Sequence, residues 1–99
     1  MNILIHGYRF DLTCFACPEQ WDVYDSNDTQ VAYIRLRHGT MKVHCPDYGG
    51  DIVYEVRPMG DGIFNDSERL IHLTAATTAI QNWIISQKFK AIQWNDVEE

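Results

Sequence analysis

Hydrophobic and polar residues alternate along the first two-thirds of the chain and recur at steps of three and four along the last third. Alternation is the signature of half-buried strands, and the longer step is that of an amphipathic helix. The strands are expected at Asn2–Ile5 and Tyr8–Cys14 around a His6-Gly7 turn, at Gln20–Asp25, and at Gln30–His38 and Thr40–Cys45 around His38-Gly39. A sixth follows at Asp51–Arg57, where Ile52, Val53, Tyr54 and Val56 are β-branched or aromatic. Ser26-Asn27-Asp28-Thr29 and Pro46-Asp47-Tyr48-Gly49-Gly50 supply turn-forming residues between strands, and Pro58–Phe64 forms a longer loop.

Asn65 is placed to cap a helix, with Glu68 three residues on as the returning partner of a capping box. Leu70, Leu73, Thr77, Ile80 and Ile84 then mark one apolar face, widened by Trp83 and Ile85. The helix is expected over about 66–88, ending where Lys88 suits the C-terminal end of the dipole. Lys90–Trp94 reads as a last short strand, and 95–99 as an acidic tail. The turns are too short for parallel crossovers. The expected fold is therefore α+β: an antiparallel β meander of five to six strands over about 2–57, covered by one long C-terminal helix. A single domain spans 1–99.

Pairing the strands sharpens the picture. With His38-Gly39 as a two-residue turn, Arg37 faces Thr40, Leu36 faces Met41, Arg35 faces Lys42, Ile34 faces Val43, and Tyr33 faces His44. One face then collects Ala32, Ile34, Leu36, Met41, Val43 and Cys45, joined by Trp21 and Val23 from the preceding strand. The other collects Tyr33, Arg35, Arg37, Lys42 and His44, with Asp22, Tyr24 and Val31 beside them and Arg57 nearby.

Charge changes what this face means. The 99 residues carry 8 Lys and Arg against 14 Asp and Glu, a net charge of -6. That balance argues against direct DNA binding, which needs a cationic footprint. Yet half of the basic side chains gather on or near one sheet face, so the surface is two-signed and suits a specific protein partner. Tyr33, Arg35, Arg37, Lys42 and His44 are the expected partner-binding residues, since Tyr and Arg are favoured interface anchors. The same cations would serve an anion or phosphate ligand.

No stretch approaches the roughly 20 apolar residues of a membrane span, and the start lacks the basic and apolar regions of a signal peptide. A cytoplasmic location, with no membrane partner, is expected. Three cysteines in a reducing cytosol read as thiols or metal ligands. Cys14-Phe15-Ala16-Cys17-Pro18 resembles a zinc-ribbon knuckle, and Cys45-Pro46-Asp47-Tyr48-Gly49 resembles a second one with Tyr48 in place of a ligand. Cys14, Cys17, Cys45 and His38 are the metal candidates this resemblance implies. Strand register separates Cys17 from Cys45 by ~20 Å, which argues against a four-ligand site; no resident metal or other cofactor is expected, and the alternative is a zinc- or thiol-based knuckle module resting on Cys14 and Cys17, with His38 as a third ligand. No catalytic motif is present, and a non-enzymatic protein is expected.

The segments Cys17-Pro18-Glu19-Gln20-Trp21-Asp22-Val23-Tyr24-Asp25, Ile34-Arg35-Leu36-Arg37-His38-Gly39 and Gly60-Asp61-Gly62-Ile63-Phe64 are similar to those of small phage and mobile-element accessory proteins. The resemblance implies an inhibitor of a host defence complex, anti-CRISPR-like, acting in the host cytosol on a nucleic-acid-processing assembly. Trp83 and Trp94 leave apolar surface for a homodimer.

Overall fold

The computed structural model describes residues 2–15, 19–37, 39–57 and 66–97, with helical side chains described over 67–90. Six strands lie in one sheet in chain order: β1 (Asn2–Ile5), β2 (Tyr8–Cys14), β3 (Glu19–Tyr24), β4 (Gln30–Arg37), β5 (Thr40–Cys45) and β6 (Asp51–Val56). Every neighbouring pair is antiparallel. One helix, α1 (Asp66–Val97), follows. The fold is the α+β meander that the alternation predicts.

Local chemistry fixes the turns. His6 and Gly7 both take positive φ, 51° and 83°, as a tight two-residue hairpin between β1 and β2 requires. Asp25 builds the next turn, its Oδ1 accepting from the backbone N–H of Asn27 and Thr29. Asn65, the expected helix cap, together with Cys17, His38 and the loop 58–65, falls outside the described residues.

The inner face of the sheet buries Phe10, Trp21, Val23, Ile34, Leu36, Met41 and Val43 completely, against Leu73, Ala76 and Ile80 of α1. The helix contacts both edge strands, β1 and β6, so the twisted sheet wraps around it. At its start, Arg69 pairs with Glu19 at the foot of β3. Further on, Trp83 Nε1 donates to Asp51 at the head of β6, at 3.3 Å. These two ties bracket the docked length of the helix.

Several expectations are corrected. The helix does not stop near Lys88, and Lys90–Trp94 is not a strand: helical backbone runs to Val97 and takes in part of the expected tail. Nothing from Phe89 to Val97 is a Gly or Pro that would break it. Leu70 and Ile85 do not join the buried stripe; both are exposed, because 100° per residue turns Ile85 about 140° from Ile80. Val31 leaves the polar face. Tyr24 pairs with Gln30 while Val23 pairs with Ala32, and the resulting bulge tucks Val31 into the core.

Candidate functional site

The polar side of the sheet is built by strand register. Cross-strand partners Gln20, Arg35, Lys42 and Glu55 form one row over β3 to β6. Asp11, Asp22, Tyr33, His44 and Ile52 form the next. Thus Arg35 and Lys42 are direct partners of like charge, an arrangement that costs stability unless a counter-charge intervenes.

Around them lies an open groove of about 760 Å³, within the range of ligand sites. Arg35, Arg37, Lys42 and Arg57 line it, against the single carboxylate of Glu55. Half of the chain's basic residues therefore meet in one groove of a protein with net charge -6. Among the described residues none of these four cations has an ion-pair partner. Arg35 Nε is buried and lacks a hydrogen-bond partner among the described residues.

The loop after β5 closes one side. Gly50 lets it turn tightly, since a Cβ there would lie 2.2 Å from the carbonyl oxygen of Cys45. Gly50 N–H donates to Asp47 O, and His44 Nδ1 lies 3.3 Å from Gly50 O. A carbonyl only accepts, so this contact is a hydrogen bond in the tautomer that carries its proton on Nδ1, which leaves Nε2 for other partners. The turn folds Tyr48 back over the sheet, edge-on to Tyr33 at 5.4 Å, with the Arg35 guanidinium 6.0 Å from its ring centre. Tyr48 itself stays 70% exposed.

Of the five residues the sequence assigns to partner binding, Arg35, Arg37, Lys42 and His44 line the groove. Tyr33 is corrected. It is buried, packed against His44 and Tyr48, and its hydroxyl is hydrogen-bonded to Gln20 Oε1. Burial pushes the Tyr33 phenol up from its ordinary range, with Arg35 opposing the shift. The exposed aromatic of this face is Tyr48, which sequence reading treats as a missing ligand. Its position two residues past Pro46 in a Gly-rich loop beside the hairpin is the signal that could have found it.

Of the knuckle candidates, Cys14 and Cys45 are among the described residues, and they stand apart. Cys14 ends β2, level with Gln20, whereas Cys45 ends β5 and is completely buried in the core. Burial first, and Asp51 second, push the Cys45 thiol up to about 12. Among the described residues no three His, Cys, Asp or Glu side chains converge as a metal site. No described helix is long and apolar enough to cross a membrane.

Compared with protein-family models, curated proteins and solved structures, the chain finds no match.

Proposed function

We propose that this chain is a non-enzymatic binding module that takes an acidic segment of a partner protein in the groove on its outer sheet face. The observation that carries the reading is the opposed pair Arg35 and Lys42, flanked by Arg37 and Arg57, with Glu55 the one carboxylate in the groove. A bound carboxylate would relieve their repulsion. Tyr48 offers an aromatic anchor at the rim. The resemblance to phage and mobile-element accessory proteins supplies the biological setting: inhibition of a host nucleic-acid-processing complex through an acidic region of one of its proteins.

The test is fluorescence anisotropy with a labelled Glu-rich dodecapeptide and a Lys-rich control. The acidic peptide should bind, more weakly as salt rises, and Arg35→Ala with Lys42→Ala should weaken it about tenfold or more. Equal affinity for both peptides, or binding that ignores the double substitution, would sink the reading. The opposed cations Arg35 and Lys42 also favour a second reading, a small phosphate ligand. Millimolar inorganic phosphate that binds by itself and displaces the peptide would select it.

A further inference from the structure

α1 carries two apolar faces. Leu73, Ala76, Thr77 and Ile80 face the sheet and are buried. On the opposite side Ile71 is 65% exposed, and Ile85 and Phe89 are each 57% exposed. Geometry puts both Ile71 and Phe89 about 180° from Ile80. A helix apolar on both sides needs cover on both. The outward face also keeps a seven-residue spacing, Ile71, Thr78 and Ile85, which Ile92 continues in the sequence. That is the repeat by which one helix packs along another.

We infer that a second copy of this chain covers that face, its α1 running antiparallel to the first about a twofold axis near Thr78. Charge and shape select this occupant. Antiparallel pairing centred on Thr78 sets Ile71 of one copy against Ile85 of the other. It also brings Glu68 of one copy level with Lys88 and Lys90 of the other, and the twofold axis repeats both contacts. Phe89 then falls beside the other copy's Leu70 and Ile71, so the large exposed side chains cluster at the two ends. Between them Thr74, Ala75 and Thr78 are small, and the pairing sets Asn82 and Gln81 of the other copy against Thr74 and Ala75, so exposed amides fill the middle of the seam. The face that completes the dimer is thus already present on the same helix. The groove lies on the far side of the sheet and takes no part.

Sedimentation equilibrium on the full chain tests this. A monomer–dimer equilibrium is expected, and Ile85→Glu should raise its dissociation constant about thirtyfold or more. Ile85 is exposed, so circular dichroism should show the variant folded. Glu68→Lys alone and Lys88→Glu with Lys90→Glu alone should each weaken self-association, and mixing the two variants should restore a heterodimer. A monomer at every concentration up to millimolar, or a dimer indifferent to Ile85→Glu, overturns the inference. Retained peptide binding in a dissociated variant would leave the groove reading standing, so the two fail separately.

Discussion

Arg69 on α1 grips Glu19 on β3 from fifty residues away, Nε donating to Oε2 at 3.1 Å and Nη2 to Oε1 at 3.0 Å. Glu19 is completely buried, and Trp21 Nε1 donates to the same Oε2 at 2.8 Å. At least three donors thus hold a carboxylate that has no access to water. Arg69→Met leaves that charge buried without its cation and should cost about 3–5 kcal/mol. Glu19→Leu combined with Arg69→Met should cost less than Arg69→Met alone. Urea unfolding of the single and double variants measures both, and a loss below about 1 kcal/mol for Arg69→Met would show the pair to be dispensable.

Gly50→Ala should disturb the groove without touching a cation. Its Cβ would meet the Cys45 carbonyl oxygen at 2.2 Å and carbon at 2.6 Å, both backbone atoms that cannot swing aside. The loop must shift, at a cost of about 1–3 kcal/mol, and Tyr48 must move off Tyr33. Ring-proton chemical shifts of Tyr33 report that movement directly; unchanged shifts would contradict the proposed role of the glycine.

Asp22 faces Asp11 across β2 and β3. Burial raises the Asp22 carboxyl above the usual carboxylate range; Asp11 adds to the shift and a hydrogen bond from Gln30 opposes it. A raised folded-state value means stability present at acid pH and lost as pH rises through that value. Asp22→Asn should therefore stabilise at pH 7 by about 0.5–1 kcal/mol, and the gain should vanish below the unfolded value near 3.8. Thermal melts of both proteins across pH 2.5–7, roughly the carboxylate titration range, decide it.

Cys45 gives the alkaline counterpart. Its thiol rises from 9.0 to about 12 on folding, so the unfolded chain releases that proton first. Stability is full below about 9 and falls as pH climbs toward 12. Tyr33 and Tyr8, both raised from 10.0 mainly by burial, act in the same direction. Cys45→Ala should lose some packing at neutral pH yet show a shallower decline between about 9 and 12. An unchanged slope would mean that the thiol does not couple to folding.

The sheet was legible because its signals are local. The β4–β5 pairings from Arg37↔Thr40 to Tyr33↔His44 follow from one Gly-containing turn and the twofold period of strands. The four groove-lining candidates came with that register. What escaped depends on contacts distant in the chain or on small irregularities. The burial of Glu19 depends on Arg69, which arrives from the helix fifty residues on. One bulged residue carries Val31 inward, and no pattern of alternation announces it. Tyr33 sits on the predicted face but lies under Tyr48, since register gives a side chain's direction and not what folds over it. The helix overran its expected end because Lys88 is compatible with a terminus without enforcing one.

The meander also has a kinetic meaning. Each strand pairs with the strand just before or after it, so sheet contacts close short loops and contact order stays low for a β-rich protein. Closing α1 onto the inner face is different: joining Arg69 to Glu19 spans half the chain. Loop-closure entropy places that event after the hairpins. Substitutions at the Arg35–Lys42 hairpin should therefore alter the folding rate, and those at Arg69 chiefly the unfolding rate.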